Sequence, residues 1–519
     1  MKSSKPILAL ALALALTLTA CGSAGTASSA TASGTKSNTL VYGSNDYTRI
    51  NPALDEHGEI NALLFDGLTA HDQDNQVVPR LAKSWELDKE TNTYTFHLQE
   101  GVTWHDGEPF TAEDVKFTIE AIQDPKNESE NASNYEDVET ITVVDDHTVQ
   151  FQLSAPNYAF LDYMTMAILP KHLLEGKDLQ TDDYFRHPIG TGPYKLASWD
   201  AGQAITLVRN EDYFRGKANI ETIIFRIVPD SNAKALQLKS GELNLSQVTP
   251  KDAKTFADAK GQTVYEMKTS DYRGIMYNFG NEYWQKNADL IPAFNYAIDR
   301  QAMIDAVLLG AGEVAYGPLQ RNVYNCEDVE HYDYDPDKAV KTLEAAGCTK
   351  GEDGFYYRDG QKVGFVISVG AGDQVRLDMA QIAAQQLKAV GVDVTVDVPA
   401  QVDWGGQDAY LIGWGSPFDA DDHTYKVFGT GKGSNYSSYS DKLVDQYLTE
   451  ARQTDDTQKR KEAYAKFQKE LAKNPAYTFF CYIDAFYVAD NNLKGITPET
   501  VLGHHGVGIF WNVLDWTLE

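Results

Sequence analysis

Segments typical of strands and of helices follow each other along the first half of the chain. Strand patterns cover 39–42, 94–98, 143–153 and 220–228. Helical spacing covers 60–68, a segment that begins at about Ala112 after the capping Thr111, and 233–240, which ends at Gly241. The first half is therefore predicted to combine a β-rich block with mixed α/β structure.

Helices and strands alternate more regularly in the second half of the chain. Helical patterns cover 293–309, 337–346, 374–390 and 441–471, and strand patterns cover 363–369, 392–398, 409–414 and 477–488. The last of these segments fits one strand or two. Such alternation favours an α/β lobe. A chain of 519 residues exceeds the size of one hydrophobic core, so two or three lobes are expected.

The N-terminus has the pattern of an export signal over 1–20. Lys2 and Lys5 precede an apolar run at 7–18, which is too short to span a membrane as a helix. Residues 18–21, Leu-Thr-Ala-Cys, resemble the bacterial lipobox. This resemblance implies that the cysteine is lipidated and begins the mature protein; a plain secretory signal is the alternative.

The segment that follows the lipobox-like residues has the composition of a flexible tether over 21–38, since Ser, Ala, Thr and Gly dominate it. With Cys21 lipidated, the expected location is the outer face of the cell membrane. The formal net charge of −30 makes the chain a poor nucleic-acid binder, and its soluble part is not expected to lie flat on anionic lipid.

The remaining cysteines leave their pairing open. If Cys21 carries lipid, at most one disulfide can form among Cys326, Cys348 and Cys481. Cys326 and Cys348 flank a turn-and-helix segment, and they are the favoured pair in an exported protein. Three thiols do not establish that pair.

Two adjacent histidines near the C-terminus are the main candidates for metal chemistry. Neutral imidazoles are common ligands of nickel, zinc and copper. Gly503 and Gly506 flank His504 and His505, so the backbone has the freedom to leave strand geometry and to bring both rings together. An adjacent pair alone is no metal motif, and a solvated loop is the alternative interpretation.

Five blocks of sequence carry a resemblance to a known family. They are Leu-Ala-Lys-Ser-Trp at 81–85, Tyr-Thr-Phe-x-Leu at 94–98, Phe-Thr-Ala-Glu-Asp-Val at 110–115, Gly-Thr-Gly-Pro-Tyr at 190–194 and Ala-Ile-Asp-Arg at 297–300. Together with the lipobox-like residues, they resemble the extracellular solute-binding proteins, family 5, of the peptide and nickel class of ABC importers. The implied protein is a monomer without catalytic residues that delivers a solute to permease and ATPase subunits.

The resemblance also implies the fold. This is a two-lobed α/β clamshell of the periplasmic-binding-protein type, with an extra β-rich subdomain in the first lobe. By similarity, the first lobe comprises 39–68, 189–279 and 490–519, the subdomain comprises 69–188, and the second lobe comprises 280–489. The solute is expected in the cleft, because two closing lobes bury a small molecule more fully than one surface can.

Within the family, the chain is most similar to nickel-binding members that present paired histidines on a C-terminal loop and a third histidine near the N-terminus. This resemblance implies that His57, His504 and His505 bind the metal. Three imidazoles leave coordination positions open, so nickel is expected as a chelate with a small metallophore such as histidine. Trp-Gly-Ser-Pro-Phe-Asp at 414–419 also resembles nickel-binding members. No catalytic cofactor is implied.

Peptide binding is the alternative function. Peptide-binding members are expected to hold the α-amino group with an acidic residue where this chain has Pro417, which offers neither charge nor donor. Asp419 or Asp421 could take that role. A metallophore carboxylate needs a cation, and Arg376 is the candidate, with a surface ion pair as its alternative role.

Aromatic residues of the predicted cleft are candidates to stack against the ligand. Trp104, Tyr410 and Trp414 are the three candidates, and the alternative for each is a place in the core. His423 follows acidic residues with no second imidazole nearby, so we expect a solvated loop residue. The sequence has no zinc-protease, phosphate-loop, nucleophile-elbow or dinucleotide motif. A glycosidase carboxylate pair, which has no fixed spacing, and a purely structural lipoprotein stay open as alternatives.

Overall fold

The computed structural model describes residues 38–54 and 58–519. The predicted signal peptide, Cys21, residues 21–37 of the predicted tether, and His57 lie outside the described residues. Residues 38–519 belong to one compact unit. None of the helices in the described part of the chain is both long and apolar enough to cross a membrane.

Strands and helices alternate along this unit. In chain order, the strands are β1 (Thr39–Ser44), β2 (Thr69–His71), β3 (Val77–Pro79), β4 (Ala82–Asp88), β5 (Thr93–Leu98), β6 (Val138–Asp145), β7 (Thr148–Leu153), β8 (Tyr194–Asp200), β9 (Ala204–Arg209), β10 (Thr222–Ile227), β11 (Leu245–Val248), β12 (Gln262–Tyr277), β13 (Gly312–Val314), β14 (Thr349–Lys350), β15 (Tyr356–Arg358), β16 (Gln361–Lys362), β17 (Gly364–Ser368), β18 (Asp393–Asp397), β19 (Ala409–Trp414), β20 (Tyr477–Asp490), β21 (Leu493–Lys494) and β22 (Thr517–Leu518). The α-helices are α1 (Asn61–Leu64), α2 (Ala112–Gln123), α3 (Phe160–Tyr163), α4 (Lys171–Leu174), α5 (Ser231–Ser240), α6 (Pro250–Lys254), α7 (Glu282–Asn287), α8 (Ile291–Ala297), α9 (Arg300–Val307), α10 (Pro336–Ala345), α11 (Gln374–Ala389), α12 (Tyr425–Phe428), α13 (Lys442–Arg452) and α14 (Thr457–Lys473).

A mixed sheet of eleven strands runs through the molecule in the order β18-β17-β19-β12-β20-β11-β1-β10-β9-β8, with β13 also paired to β20. β1 pairs in parallel with β10 and β11, and β17 pairs in parallel with β18 and β19. The two long central strands, β12 and β20, are antiparallel to each other. A separate antiparallel sheet, β4-β5-β7-β6, forms the β-rich subdomain.

The central strands β12 and β20 pass between two lobes. Residues 262–268 of β12 pair with 484–490 of β20, and after a shift of register Tyr272 pairs with Tyr482. We call the half that contains β1 and the four-stranded sheet the first lobe, and the half that contains α8 to α14 the second lobe. The predicted two-lobed α/β clamshell is thus confirmed, whereas the exact lobe boundaries stay a prediction.

Separate hydrophobic cores support the two lobes. In the first lobe, Phe96 and Phe151 of the four-stranded sheet belong to the same core as Leu40 of β1. This continuous core fixes the β-rich subdomain to the first lobe. In the second lobe, Phe294 and Phe365 lie in one core. Burial of such aromatic side chains is a main source of stability for each lobe.

Several predicted elements differ from the observed ones. The segment 293–309 forms two helices, α8 and α9, because the Asp299 side chain caps the second by accepting the Ala302 N–H. In the same way, Asp456 caps α14 and divides the predicted helix 441–471. The predicted helix 60–68 is shorter, since α1 ends at Leu64. The strand β12 was not predicted at all.

The Gly-Thr-Gly-Pro-Tyr block packs against the end of α1. A Cβ atom at Gly190 would lie 1.7 Å from the Leu64 carbonyl oxygen, and one at Gly192 would lie 2.6 Å from the Leu63 carbonyl oxygen. The Gly192 N–H donates to the Leu64 carbonyl at 3.0 Å. The block therefore requires glycine because two backbone segments touch.

We expect Gly190→Ala to lower the free energy of unfolding by about 3 kcal/mol, since the new methyl group meets fixed backbone. Thermal unfolding of the purified protein measures this change. Gly261→Ala is the matched control, because no atom lies within 4 Å of a Cβ built there. Equal melting temperatures for the two variants would contradict the packing argument.

Candidate metal and ligand site

The paired histidines lie in a single 3₁₀ turn, His504–Gly506. His505 has a φ of 59° and Gly506 a φ of 72°, so two successive residues occupy the left-handed region. This backbone places the rings of His504 and His505 side by side, with centroids 3.9 Å apart. In an extended strand the two rings would point to opposite faces.

The segment before the turn fills a gap in the central sheet. Between Lys268 and Tyr272, β12 shifts its register with β20. Leu502 lies beside this gap, where its N–H donates to the Lys268 carbonyl at 2.8 Å and its carbonyl accepts the Ser270 N–H at 2.9 Å. The paired histidines are therefore fixed to the strands that connect the two lobes.

Asp271, in the same gap, contacts both histidines. Its side chain is fully buried, its Oδ1 lies 2.8 Å from His504 Nδ1, and its Oδ2 accepts the His505 backbone N–H at 2.9 Å. Oδ1 also accepts a hydrogen bond from the Arg273 guanidinium. Asp271, His504 and His505 offer ligand atoms that all lie within 4.8 Å of one another, a spacing that suits a metal ion.

Burial and neighbouring charges determine the protonation states of Asp271 and His505. Burial opposes ionisation of Asp271, but Arg273 and the His504 contact outweigh it and hold the pKa of Asp271 well below its usual value. Burial, together with the charges of His504, Arg273 and Arg376, lowers the pKa of His505 to about 2. His505 is nevertheless an exposed residue, and it lines a cavity beside the site. It is therefore neutral at physiological pH, as metal ligation requires.

Arg376, the predicted partner of a carboxylate, lies in the first turn of α11. Its side chain is 11% exposed, and its Nε lies 3.3 Å from Asp373 but makes no hydrogen bond within the described part of the chain. Burial and the neighbouring Arg273 lower the pKa of Arg376 from its ordinary value. Arg376 contributes least among the groups that lower the pKa of His505, and it does not line the cavities beside the paired histidines.

An aromatic wall stands next to His504. The Trp414 ring stacks on the His504 ring at a centroid distance of 5.9 Å. Tyr436 stacks between Trp414, at 5.9 Å, and Trp404, at 4.7 Å. Trp404 also contacts the predicted Tyr410 at 4.8 Å. Trp414 and Tyr410 are each 5% exposed in a hydrophobic core of the second lobe, which is the alternative role given for them in the sequence analysis. Trp404 and Tyr436 were not named there, since they lie in segments without a regular pattern.

Two cavities adjoin the paired histidines. The cleft cavity, of about 350 Å³, is lined by Asn61, Phe65 and Asp162 of the first lobe, by Ser416 and Phe418 of the second lobe, and by His504. The hinge cavity, of about 440 Å³, is lined by Tyr47, Lys234, Gln247, Arg273 and His505. Gly58, the chain neighbour of the predicted ligand His57, lines both cavities.

The lobes touch each other across the cleft. Phe418 of the second lobe stacks on His71 of the first lobe at 3.8 Å. Lys432 lies 2.6 Å from Glu136, which belongs to the β-rich subdomain. The clamshell is therefore closed over the cleft cavity.

Arg452 of the second lobe also makes a contact across the cleft. Arg452 donates to Asp137 of the β-rich subdomain at 3.1 Å and to Asp421 of its own lobe at 2.7 Å. Asp421 also accepts a short hydrogen bond from Tyr163 of the first lobe. The buried carboxylate of Asp421 is thus paired with groups from both lobes.

His423 does not have the predicted solvent exposure. It is 8% exposed, and its Nδ1 accepts the Gly415 N–H at 3.0 Å. Its ring lies 6.4 Å from the His504 ring, and it lines the cleft cavity. The prediction of a solvated loop was wrong because the second imidazole comes from a segment that is distant in sequence.

Trp104 and Asp419 have other partners than the predicted ligand. Trp104 is 1% exposed in the core of the first lobe, where its ring contacts that of Phe110 at 6.1 Å. The two oxygens of Asp419 each accept a hydrogen bond from the Arg460 guanidinium at 2.6 Å. These contacts assign Trp104 to the core and engage the Asp419 carboxylate in a bidentate ion pair.

The favoured disulfide does not form. Cys326, Cys348 and Cys481 are all free thiols, and Cys348 and Cys481 are buried. Burial raises the pKa of the Cys481 thiol to about 12, so this thiol is protonated and unreactive at neutral pH.

The chain is similar to known proteins in sequence and in fold. The family described as bacterial extracellular solute-binding proteins, family 5 Middle, matches residues 76–436. NikZ from Campylobacter jejuni, solved in complex with Ni(L-His), has a TM-score of 0.87 and 36% identity, over 92% of this chain and 99% of that one. AppA from Bacillus subtilis, solved with a nonapeptide, has a TM-score of 0.83 and 28% identity, over 93% and 99%. Protein XP55 of Streptomyces lividans is 32% identical over 470 residues, which cover 87% of this chain and 84% of that protein.

The chain therefore belongs to the bacterial extracellular solute-binding proteins, family 5, as the five sequence blocks predicted. It is a solute-binding protein of an ABC importer, a class that works with permease and ATPase subunits. Its relatives bind solutes and are not enzymes. Both nickel-binding and peptide-binding members occur among them.

Glu59 connects the N-terminal loop to the loop that carries the paired histidines. Its Oε1 lies 3.0 Å from the Tyr487 hydroxyl, and its Oε2 accepts the Gly508 N–H at 3.2 Å. The Tyr487 hydroxyl also donates to the Gly506 carbonyl at 2.9 Å. Burial raises the pKa of Glu59 to about 7, so the folded state favours its protonated form.

We expect the Glu59 pKa to make stability depend on pH. Its stabilising contribution is full below the ordinary pKa of a glutamate and is lost as pH rises through about 7. Between pH 5 and pH 8, wild type should lose about 2 kcal/mol of unfolding free energy relative to Glu59→Gln, as chemical denaturation would measure. Glu352→Gln, on an exposed turn, is the control. A constant difference at the two pH values would contradict the assignment.

Proposed function

We propose that this solute-binding protein captures nickel as a chelate with a small amino-acid metallophore, such as histidine, and delivers it to its permease. The observation that carries this proposal is the pair of side-by-side imidazoles, His504 and His505, between two cavities. We also propose that lipidated Cys21 anchors the protein at the outer face of the cell membrane, where a captured solute is close to the permease.

The number of protein ligands favours a chelate over a bare ion. Nickel prefers square or octahedral surroundings that are rich in nitrogen. His504 and His505, with His57 as the predicted third ligand, leave positions open for a carrier. The cleft cavity of about 350 Å³ has room for one amino acid beside the metal. Open positions also suit transport, since the metal must leave the protein again.

Arg376 supports a carrier that has a carboxylate. Its guanidinium is buried, and its Nε has no hydrogen bond within the described residues, so we propose that it donates to the carboxylate of the carrier, although Arg376 does not itself line the cleft cavity. Trp414 is 5% exposed and stacks on both His504 and Tyr436, so its role in the proposed site is to support the His504 ring. NikZ from Campylobacter jejuni, which was solved with Ni(L-His), supports the same interpretation by similarity.

Peptide transport is the second candidate, because AppA from Bacillus subtilis was solved with a nonapeptide and has a similar fold. The charges in the cleft favour nickel. The carboxylates predicted for a peptide amino group are engaged, since Asp419 pairs with Arg460 and Asp421 pairs with Arg452. A cavity of about 350 Å³ is also small for a long peptide.

Replacing both histidines should abolish the metal site. We expect a His504→Ala, His505→Ala double variant to bind nickel with histidine at least a hundredfold more weakly than wild type, because two nitrogen ligands are lost. Isothermal titration calorimetry with nickel and histidine measures this affinity. His187→Ala, at an exposed position, should bind like wild type.

Two outcomes would contradict the nickel proposal. One is equal affinity of the double variant and wild type for nickel with histidine. The other is nanomolar affinity of wild type for a tetrapeptide together with no binding of nickel, which would favour the peptide-binding alternative.

Arg376→Ala should separate recognition of the carrier from recognition of the metal. We expect about a tenfold to hundredfold loss of affinity for nickel with histidine, since a charged hydrogen bond to the carboxylate is lost. The affinity for nickel with histamine, which lacks the carboxylate, should change little. Calorimetry with both carriers makes this comparison. Arg358→Ala, which removes a surface ion pair with Asp289, is the control. Equal losses for both carriers would contradict a contact between Arg376 and the carboxylate.

A further inference from the structure

We propose that Asp271 is a positioning residue that sets the tautomer and direction of the His504 ring, so that Nε2 faces the metal. This inference rests on the proposed function for its effect on nickel affinity. The tautomer itself is a property of the metal-free protein. The two parts can therefore be tested separately.

The hydrogen bonds of Asp271 determine which nitrogen of His504 carries the proton. Oδ1 accepts from the Arg273 guanidinium, and Oδ2 accepts the His505 backbone N–H at 2.9 Å. A carboxylate held by such donors has only lone pairs to offer, so the His504 Nδ1 at 2.8 Å must donate. In the neutral ring, the lone pair that a metal needs is then on Nε2. Carboxylates that hold the second nitrogen of a metal-binding histidine act in this way.

The same contacts argue against direct coordination by Asp271. Its ligand atom lies within 4.8 Å of those of both histidines, so distance alone would allow it to bind the ion. Both oxygens already accept hydrogen bonds, and the side chain is completely buried. Asp271 therefore acts on the metal through His504.

The backbone of His505 depends on the same carboxylate. His505 has a φ of 59°, a region that residues with a Cβ rarely occupy. Its N–H in this conformation points at Asp271 Oδ2. The bond supports the left-handed turn that brings the two rings together. One side chain thus controls the ring of His504 and the backbone of His505.

The position of Asp271 in the sheet makes it a rigid support. The Asp271 N–H donates to the Thr269 Oγ1 at 2.9 Å, and that hydroxyl donates to the Ile483 carbonyl of β20 at 2.7 Å. The carboxylate is therefore held by the two strands that connect the lobes, where a functional side chain is placed more precisely than on a loop.

Asp271→Asn tests the inference with little change of shape. An asparagine has one acceptor and one donor group at this position. If its NH2 group takes the place of Oδ1, it faces His504 Nδ1 and the Arg273 guanidinium and favours the opposite tautomer, with the proton on Nε2. If its oxygen takes that place, the His505 N–H loses its acceptor, and the turn that brings the two rings together is weakened instead. We expect a tenfold to hundredfold loss of affinity for nickel with histidine by calorimetry. The ¹⁵N shifts of the His504 ring, assigned with the His504→Ala variant, should show Nδ1–H in metal-free wild type and a shift towards Nε2–H in Asp271→Asn.

Asp114→Asn is the matched control. Asp114 is also a buried carboxylate, and it accepts the backbone N–H groups of Thr111 and Lys171. This variant should lower the melting temperature but leave the His504 tautomer and the nickel affinity unchanged.

The inference would be overturned if His504 of metal-free wild type carried its proton on Nε2. This measurement of the His504 tautomer in wild type tests the inference even if the Asp271→Asn variant does not fold. Unchanged affinity and tautomer in a folded Asp271→Asn variant would overturn it as well. If wild type shows Nδ1–H but binds no nickel with histidine, the proposed function fails and the positioning role of Asp271 stands.

Discussion

The interruption of pairing between β12 and β20 is the constraint on which the site depends. Buried backbone N–H and C=O groups need partners, and the two strands leave such groups unpaired where they change register between the lobes. Leu502 supplies two of the missing hydrogen bonds, to Lys268 and Ser270. The C-terminal segment is therefore held at the junction of the lobes, and the paired histidines that follow Leu502 take their position from it.

Local patterns predicted much of the fold, whereas the metal chemistry of the site stays a prediction. The capped start of α2, the long helix α11 and the strand β19 were predicted because each forms from residues that are neighbours in sequence. The paired histidines were chosen because the family resemblance added a third histidine to a pair that alone is no metal motif. The helix breaks before Arg300 and Thr457 were missed, since a capping aspartate there has no stronger signal than any other aspartate.

Long-range contacts account for what the sequence analysis missed. Asp271 and His504 are separated by 233 residues, and no local pattern links them. β12 itself was not predicted, because Asp271 and Arg273 interrupt its apolar pattern although both are buried as an ion pair. His423 was assigned to solvent for the same reason, since the ring near it belongs to His504. Buried residues whose partners are distant in sequence can be recognised only from the three-dimensional structure.

The charges around the paired histidines bear on the proposed function. Asp271 is the buried carboxylate next to the paired histidines, and two guanidinium groups, Arg273 and Arg376, act on the same place. The charge of Asp271 is largely neutralised by Arg273 and the His504 contact. The two guanidinium groups are matched by two carboxylates, since Arg273 pairs with Asp271 and Arg376 lies 3.3 Å from Asp373. Under the proposed function, the neutral imidazole of His505 would coordinate the metal, and the carboxylate of a chelating carrier would compete with Asp373 for Arg376.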